Sequence, residues 1–221
     1  MSIYNTNKIN KNQMKYLVTG GAGFIGSHLI ELLIENNHKV ICVDNLSTGN
    51  IANLSSVIHK IEFYEEKIEY FDFNKASDVD AVIHLAAQPS VPLSFTNFSS
   101  SSSSNILGAI KVIDYCRLNH IPFIYASSSA VYGNLEFGND EVQSIDLLSP
   151  YATDKYSMEL YSRTAYKAYQ LSSIGLRFFN VYGPRQDPSS PYSGVISIFA
   201  DRLLKSKNIT INGGHQTRDF V

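Results

Sequence analysis

Three side chains in the second half of the chain have the types and the spacing that proton transfer requires. Tyr151 and Lys155 lie four residues apart in a helix-patterned segment, so they share one face of that helix. A tyrosine, with a pKa of about 10, is a poor base at neutral pH, and a nearby ammonium favours its phenolate form. Ser128, after an apolar strand, would relay or orient the proton of the same substrate hydroxyl. The set predicts a site that deprotonates a hydroxyl group, although Tyr-x-x-x-Lys alone also arises by chance on surface helices.

The elements that would position this set begin with a glycine-rich turn near the start of the chain. An apolar strand at residues 15–19 runs into Gly20, Gly23 and Gly26, and a helical pattern follows to about Asn37. The first glycine allows a tight turn, the second lets a pyrophosphate approach the backbone, and the third lets helix and strand pack closely. The N-terminus of that helix would direct its unpaired N–H groups at the phosphate, which predicts a dinucleotide site.

The next predicted strand, residues 39–44, ends in Asp44, eighteen residues after Gly26. A carboxylate at this distance would accept hydrogen bonds from the adenosine ribose and repel a 2′-phosphate. No arginine follows in residues 45–49, so the pattern favours NAD over NADP. The alternative is that Asp44 is only a turn residue at a strand end. The positive nicotinamide ring of NAD would add to the effect of Lys155 on the tyrosine.

Further short apolar runs, separated by helical or polar segments, predict a parallel sheet with helices on both faces. The predicted strands are 15–19, 39–44, 61–64, 81–86, 123–126 and 173–178, and the predicted longer helices include 105–119 and 151–169. The fold class is α/β, a Rossmann-type doubly wound parallel sheet with a second, smaller and truncated substrate lobe. We expect a flexible tail at residues 1–14, an NAD-binding domain at 15–180, and the incomplete start of the substrate lobe at 181–221.

Two segments give a weaker pattern. Ser99 to Ser104 are six consecutive serines, which predict a flexible linker that becomes helical only if packing forces it. In the second lobe, we expect a short helix near residues 195–205 and a small strand at 208–212.

Composition excludes several classes of function. The net charge is −2 with no basic block, which argues against a nucleic-acid partner, and the apolar stretches are too short for a membrane helix. Residues 1–14 lack the apolar region of a secretory signal.

Cys42 and Cys116 are isolated, so we expect buried thiols in a reducing cytoplasm. His84, inside an apolar strand, is expected to be a hydrogen-bonded core residue, and no metal site is predicted.

Taken together, the motifs resemble those of the extended short-chain dehydrogenases/reductases, and most closely the nucleotide-sugar 4-epimerases of the UDP-glucose and UDP-N-acetylglucosamine type. The resemblance covers nearly everything from Lys15 to Val221. It rests on Thr19-Gly-Gly-Ala-Gly-Phe-Ile-Gly26, Val43-Asp-Asn-Leu-Ser-Thr-Gly49, His84-Leu-Ala-Ala87, Ser127-Ser-Ser-Ala-Val-Tyr-Gly133, Ser149-Pro-Tyr-Ala-Thr-Asp-Lys155 and Leu176-Arg-Phe-Phe-Asn-Val-Tyr-Gly-Pro184.

The resemblance implies a redox-neutral C4 epimerisation of a UDP-hexose or UDP-N-acetylhexosamine through a 4-keto intermediate, with retained NAD. It implies that the catalytic residues are Ser128, Tyr151 and Lys155. The implied cofactor-binding residues are Gly20, Gly23, Phe24, Ile25, Gly26, Asp44, Asn45, Ile68, Leu85, Ala86, Ala87, Asn105, Tyr151, Lys155 and Phe178. The implied substrate-binding residues are Ser90, Ser128, Ser129, Asn180, Gln186, Gly194, Val195 and Arg218. Members of this type also imply a homodimer formed through helices 105–119 and 151–169.

The chain departs from the family pattern in two places. Where the family has Gly-Asp-Ile after the third strand, with the Asp reaching the adenine amine, this chain has Lys67 before Ile68. Lys67 cannot accept that hydrogen bond. Family members also continue well beyond the final Arg-Asp-Phe-Val, so we expect the sequence to be a fragment that lacks part of the nucleotide clamp.

Other functions remain open at this point. A nucleotide-sugar dehydratase or decarboxylase of the same superfamily is the nearest, but dehydratases carry an Asp-Glu pair where this chain has Ser129 and Ala130. A non-catalytic NAD-binding protein would be expected to lack the tyrosine or the lysine. Simple oxidation would release NADH.

Overall fold

The computed structural model describes residues 13–134, 144–188 and 193–211. The predicted tail therefore lies outside the described residues except for positions 13 and 14, and so does the predicted phosphate-binding Arg218.

A six-stranded sheet in which every pair of neighbouring strands is parallel forms the centre of the molecule, in the order β3-β2-β1-β4-β5-β6. The strands are β1 Lys15–Thr19, β2 Lys39–Asp44, β3 Glu62–Glu65, β4 Ala81–His84, β5 Phe123–Ser128 and β6 Ser173–Phe178. The order reverses between β1 and β4, and ligands of such sheets bind at the carboxyl ends of the strands beside this point. The predicted doubly wound parallel sheet is confirmed.

Helices follow the strands and cover the sheet. They are α1 Phe24–Glu35, α2 Val91–Thr96, α3 Phe98–Ser102, α4 Gly108–Asn119, α5 Pro150–Tyr169 and α6 Val195–Leu204. A π-helical turn, Ser103–Leu107, joins α3 to α4, and a 3₁₀ turn, Ser129–Tyr132, follows β5.

The core consists of two apolar clusters, one on each face of the sheet. Successive residues of a strand point to opposite faces, so Leu17 and Val18 of β1 belong to different clusters. The cluster around Val18 packs against Ile30 and Leu33 of α1, and the cluster around Leu17 includes residues of α4 and α5. Burial on both faces explains why the strands are continuous apolar runs.

The serine run is helical, contrary to the expected flexible linker. Ser101 is buried, with its hydroxyl 2.9 Å from the side-chain amide of Gln88. The Ser104 hydroxyl donates a 2.9 Å hydrogen bond to the Glu69 carboxylate. These tertiary contacts outweigh the low helix propensity of serine, so the segment continues into α4 through the π-helical turn.

Among the differences from the sequence predictions, two concern strand ends and one concerns a whole strand. β5 extends to Ser128 because Ser127 and Ser128 pair with β6, whereas β4 ends at His84. The strand expected at 208–212 is wrong for residues 208–211, which are irregular and have no strand partner among the described residues. An extended segment needs such a partner to satisfy its backbone groups as a strand.

The predictions for isolated core residues are confirmed. Cys42 and Cys116 are buried and unpaired, and burial raises the pKa of both thiols. His84 is buried as well. Within the described parts of the chain, no helix is long and apolar enough to cross a membrane.

Candidate active site

The glycine turn is closely packed between β4 and α1. Gly20 has a left-handed φ of +72°, and a Cβ atom there would lie 2.6 Å from the Ala86 nitrogen. A Cβ on Gly26 would collide with the Gly20 carbonyl oxygen. Only glycine fits at either position, so the backbone approaches as closely as a dinucleotide cradle requires.

The N-terminus of α1 opens at this turn. Its N-cap is Gly23, which has no side chain to bond the first N–H groups, and no acidic residue lies in the first turn. Phe24 and Ile25 begin the helix, so their backbone N–H groups lie at its positive end. This arrangement suits a pyrophosphate.

Asp44 ends β2 with its carboxylate directed back towards the glycine turn. The side chain is buried, and it accepts hydrogen bonds from the N–H groups of Ala22 at 2.9 Å and Leu46 at 2.8 Å. An ionised carboxylate has about four acceptor positions, so two remain for ribose hydroxyls. Asn45 accepts a hydrogen bond from the Ser47 N–H at 3.1 Å, which shapes the adjoining turn.

The loop after β4 is held to β1 by a buried threonine. Leu85 donates to the Thr19 carbonyl oxygen at 3.0 Å, and Ala86 donates to the Thr19 hydroxyl at 3.2 Å. That hydroxyl is also hydrogen-bonded to His84 Nδ1 at 2.7 Å. Burial, with a smaller effect of the Lys155 charge, lowers the pKa of His84 to about 3. His84 is therefore neutral and has the structural role that the sequence predicted.

Ile68 is the residue that the sequence predicts on the adenine side of the cofactor site. Ile68 is buried in the core, and a Cβ on Gly108 would lie 2.7 Å from its Cγ2 atom. The Ile68 side chain therefore packs inward. Lys67, next to it, is exposed.

Ser128 and Tyr151 meet at the carboxyl end of β5. Tyr151 lies in the first turn of α5, whose N-cap Ser149 accepts a hydrogen bond from the Ala152 N–H at 3.1 Å. The Tyr151 side chain is buried, and the Ser128 hydroxyl lies close enough to lower the pKa of its hydroxyl. The sequence predicted that these two groups act together, and the structure brings them into contact.

The pKa of Tyr151 differs from the sequence expectation in direction. Burial raises it, Ser128 lowers it by hydrogen bonding, and the charge of Asp154 raises it further, so the net shift is upward. In the protein alone desolvation dominates, and the lowering expected from Lys155 together with the nicotinamide ring of NAD stays a prediction.

Lys155 is buried one turn further along α5. Its Nζ atom lies 5.7 Å from the centre of the Tyr151 ring and donates a 2.8 Å hydrogen bond to the Ala126 carbonyl oxygen. Burial lowers the pKa of Lys155 to about 8, although the Asp154 carboxylate opposes this shift. The lysine thus sits beside the tyrosine as a partly ionised group at neutral to mildly alkaline pH.

Asn105, expected at the cofactor, is engaged by protein groups. Its Oδ1 atom accepts a hydrogen bond from the Gln88 N–H at 2.7 Å, and its Nδ2 atom donates to the Gln88 carbonyl oxygen at 3.3 Å. Nδ2 also donates to Asp154 Oδ2 at 3.1 Å. One acceptor position on Oδ1 is left for a ligand. The sequence analysis missed Gln88 and Asp154, although Asp154 lies within the Ser149–Lys155 motif.

The predicted substrate residues fall into two groups. Ser129 begins the 3₁₀ turn after Ser128, next to the catalytic set. Ser90 is buried and caps α2 by accepting the Leu93 N–H at 3.0 Å, so its hydroxyl supports the fold. Phe178 ends β6 opposite Ser128, and Asn180 follows it two residues later.

The second group lies in the segment after β6. A Cβ on Gly194 would lie 3.8 Å from Gln186 Nε2, and Val195 begins α6 directly after Gly194. Gln186 Nε2 donates to the Val181 carbonyl oxygen at 3.3 Å, whereas its Oε1 atom is buried without a partner among the described residues. Gln186, Gly194 and Val195 are therefore brought together as predicted.

An ion pair that the sequence did not predict connects this segment to α1, the helix after the glycine turn. Arg185 donates to Glu31 of α1 at 2.7 Å, and this bond holds the pKa of the Glu31 carboxyl below its usual range. His28 of α1 is hydrogen-bonded to the Pro184 carbonyl oxygen at 3.0 Å. No local pattern could have predicted these contacts, since the partners are more than 150 residues apart.

Comparisons with known proteins agree with this geometry. The model of the NAD dependent epimerase/dehydratase family matches residues 16–221. A UDP-N-acetylglucosamine 4-epimerase from Methanobrevibacter ruminantium M1, solved with UDP-N-acetylmuramic acid, is 41% identical with a TM-score of 0.91, over 95% of this chain and 69% of that one. A UDP-glucose 4-epimerase from Thermotoga maritima, solved with UDP-glucose, is 38% identical with a TM-score of 0.87, over 94% of this chain and 69% of that one.

A relative with a different reaction is also similar. The dTDP-D-glucose 4,6-dehydratase of Dictyostelium discoideum is 36% identical over 231 residues, which cover 94% of this chain and 52% of that protein. Overall identity alone therefore does not separate the two reactions. By the family model and the two solved epimerases, the chain belongs to the NAD dependent epimerase/dehydratase family.

Proposed function

We propose that this protein catalyses the redox-neutral C4 epimerisation of a UDP-hexose or UDP-N-acetylhexosamine. The observation that carries the proposal is the placement of Ser128 and Tyr151 beside each other, with Lys155 5.7 Å from the Tyr151 ring and one turn along the same helix. This set lies at the carboxyl edge of the sheet, where the glycine turn and Asp44 also lie. The similarity to two solved UDP-sugar 4-epimerases supports the same reaction.

The residues present fit NAD, the cofactor of the family. Gly20, Gly23 and Gly26 leave the space of a pyrophosphate cradle, and Asp44 keeps acceptor positions for the adenosine ribose. Asp44 would also repel the 2′-phosphate of NADP. NAD held by these residues would supply a reversible hydride acceptor for C4 of the sugar, so that no net oxidation would result.

The protein's own residues transfer the proton of the C4 hydroxyl. Tyr151 accepts the proton of the C4 hydroxyl, and Ser128 holds that hydroxyl and the phenolic oxygen in one hydrogen-bonded chain. Lys155 supplies positive charge beside the ring, which favours the phenolate form of Tyr151 that accepts this proton. Proton return to the 4-keto intermediate follows the same path in reverse.

The dehydratase alternative is disfavoured by the residues after Ser128. Loss of a C6 hydroxyl needs one group to protonate it and another to take the C5 proton. Ser129 and Ala130 stand at the positions where the dehydratase pattern has an Asp-Glu pair, and neither is a carboxylic acid. Epimerisation needs no such pair.

The segment after β6, taken as the start of a substrate lobe from residue 181, favours tolerance of N-acetylated sugars. Gln186 and Gly194 are neighbours, and the buried Oε1 atom of Gln186 is an acceptor suited to an acetamido N–H. The small side chain of Ser90, whose hydroxyl caps α2, is proposed to leave space for the same group. Asn180 and Arg218 are the proposed contacts of the UDP phosphates.

We also propose a homodimer and a cytoplasmic location. The dimer that the family resemblance implies would cover large exposed side chains on α4 and α5, including Leu118, Leu160 and Tyr161. The two buried thiols and the use of NAD and a UDP-sugar suit the cytoplasm.

Product analysis tests the proposal directly. The protein is incubated with NAD and either UDP-glucose or UDP-N-acetylglucosamine, and the sugars are resolved by chromatography and NMR. We expect the C4 epimer to form without accumulation of NADH. A 4-keto-6-deoxy product would instead assign a dehydratase, and stoichiometric NADH would assign a dehydrogenase.

A further inference from the structure

Asp154 is a buried carboxylate beside the catalytic set, and the chemistry proposed above does not use it. It is 3% exposed and lies on α5, one turn after Tyr151 and immediately before Lys155. Burying an ionised carboxylate is costly unless hydrogen bonds compensate for the lost water. A carboxylate at this position therefore needs hydrogen-bond partners within the protein.

Two side chains of the helical serine segment provide those partners. Asn105, in the π-helical turn, donates an Nδ2 hydrogen to Asp154 Oδ2 at 3.1 Å, and the nearby Ser102 hydroxyl lowers the pKa of the same carboxyl group. A π-turn inside a helix often marks a functional site, and here it brings Asn105 into the protein interior. Asp154 thus connects α5 to the segment that leads into α4.

Asn105 in turn holds the loop after β4. Both backbone groups of Gln88 are bonded to its amide, the N–H at 2.7 Å and the carbonyl oxygen at 3.3 Å. Gln88 directly follows Ala86 and Ala87, where the cofactor is expected to cross the sheet edge. A single side-chain amide therefore fixes the backbone of this loop.

We propose that Asp154 is a positioning residue that orients the Asn105 amide and thereby fixes the loop after β4 against the catalytic helix α5. This inference rests on the proposed function for its catalytic consequence, and on the family's cofactor for its effect on binding. A carboxylate is an acceptor only, so it requires the Asn105 NH₂ group to face it and the Oδ1 atom to face the Gln88 N–H. The opposite amide orientation would break both contacts.

The charge of Asp154 has a second, separable effect. The ionisable groups facing Lys155 are Asp154 and Tyr151 on its own helix and His84 on β4, and His84 is neutral. Asp154 is therefore the negative charge that opposes the lowering of the Lys155 pKa by burial. Removing this charge while keeping the hydrogen bond should change only the pH dependence of cofactor binding.

Two substitutions at this position separate the contributions. In Asp154→Asn, the side-chain oxygen can still accept from Asn105 while the new NH₂ group donates to the Ser102 hydroxyl, so the hydrogen bonds are kept and the charge is lost. In Asp154→Leu, which is similar in size, both are lost. Asp114→Asn is the matched control, because Asp114 is half-exposed on α4 and pairs with Arg117.

The experiment measures NADH binding to the full chain by fluorescence titration, at several pH values. We expect Asp154→Leu to raise the Kd for NADH about tenfold, since a buried charge-assisted hydrogen bond is lost. Asp154→Asn should have a Kd for NADH within about threefold of that of the unmodified protein at pH 7. Its loss of affinity at alkaline pH should begin about one pH unit lower. The control should be unchanged, and thermal melting of each variant verifies that it is folded.

The results separate this inference from the proposed function. A folded Asp154→Leu variant that binds NADH like the unmodified protein overturns the positioning role, and so does an equal loss of affinity in both variants. If Asp154→Leu does not fold, Asp154→Ala takes its place, and unchanged NADH affinity in that folded variant overturns the positioning role. Should NADH binding behave as expected while the unmodified protein fails to epimerise UDP-sugars, the proposed function is wrong and the role of Asp154 stands.

Discussion

The Lys155 ammonium donates a 2.8 Å hydrogen bond to the carbonyl oxygen of Ala126, which ties α5 to β5. The lysine is therefore held as a fixed group of the interior and cannot swing towards solvent. Burial lowers its pKa from 10.5 to about 8. The unfolded chain, where the lysine is solvated, thus binds more protons than the folded protein between these two values.

Stability should reflect this difference. The cost of burying the charged lysine is fully present below pH 8 and is relieved as the pH rises towards 10.5, because the folded state then contains the neutral amine. Compared with Lys155→Met, the unmodified protein should gain about 3 kcal/mol of unfolding free energy across this range. Urea denaturation of both proteins at a series of pH values measures it. A difference that stays constant with pH would contradict the shift.

Removal of the Tyr151 hydroxyl should abolish turnover and preserve cofactor binding. In Tyr151→Phe, the ring still packs at the start of α5, but no group accepts the C4 hydroxyl proton, so kcat should fall about 1,000-fold. NADH affinity, measured by fluorescence, should stay within about threefold. Tyr166→Phe is the control, because Tyr166 is an exposed tyrosine of the same helix. Turnover by Tyr151→Phe at close to the normal rate would disprove its role as the base.

Discrimination between NAD and NADP should depend on Asp44. We expect a preference for NAD of about 100-fold, reduced to about 10-fold or less in Asp44→Asn, because the neutral amide no longer repels a 2′-phosphate. Asn keeps an oxygen that can accept from Ala22 or Leu46, so the turn should persist. Kd values for both reduced cofactors give the ratio, with Glu35→Gln at the exposed end of α1 as the control. Equal preference in Asp44→Asn and the unmodified protein would exclude Asp44 from the ribose site.

The contact of Gly26 with Gly20 makes a steric prediction. A methyl group at Gly26 would collide with the Gly20 carbonyl oxygen, so Gly26→Ala must displace α1 or the turn. We expect a loss of about 2 kcal/mol of stability and of NADH binding. Gly194→Ala is the stability control, since its new Cβ would have only an ordinary 3.8 Å contact. Chemical denaturation of both variants decides the point, and a fully stable Gly26→Ala protein would show that the turn is looser than described.

A bidentate ion pair joins β6 to α5, the helix that carries Tyr151 and Lys155. Arg177 of β6 donates to both oxygens of Glu159 of α5, at 2.9 and 2.7 Å, and the Ser127 hydroxyl donates to the same carboxylate at 2.5 Å. Both charged side chains are mostly buried. Glu159→Gln should therefore cost about 3 kcal/mol, because it leaves the guanidinium without its counter-charge.

A double-mutant cycle measures this pair. The combination of Glu159→Gln with Arg177→Met should cost clearly less than the sum of the two single changes, since no charge is then left unpaired. Asp201→Asn, which breaks the exposed pair with Lys205, should change stability by less than about 0.5 kcal/mol. Additive effects of Glu159 and Arg177 would indicate that the pair contributes little.

Local sequence patterns predicted most of the framework. Apolar runs of strand length, the glycine spacing and the acid at the end of β2 each depend on near neighbours, so the sheet and the cradle could be inferred before any contact was known. The members of the proposed catalytic set could also be chosen from the sequence, because Tyr151 and Lys155 share a helix and Ser128 ends a strand. His84 was assigned to the core for the same local reason.

The predictions that failed depend on groups distant in sequence. Serine propensity alone indicates a linker, and only contacts with Gln88 and Glu69 make the segment helical. The sequence places a lysine beside Tyr151, but the sign of the pKa shift is set by how much water the fold removes from the hydroxyl. The capping role of Ser90 at the start of α2 likewise depends on the fold, and its proximity to the substrate stays a prediction.

By itself, then, the sequence determined the order of the elements, the glycine cradle, Asp44 and the chemical types of the proton-transfer set, because periodicity and short spacings carry that information. Only the tertiary structure decided which polar groups are desolvated and what they contact. The bonds of Asn105 with Asp154 and with Gln88, and of Glu31 with Arg185, join segments 17 to 154 residues apart. Their partners are chosen by packing, which no local pattern encodes.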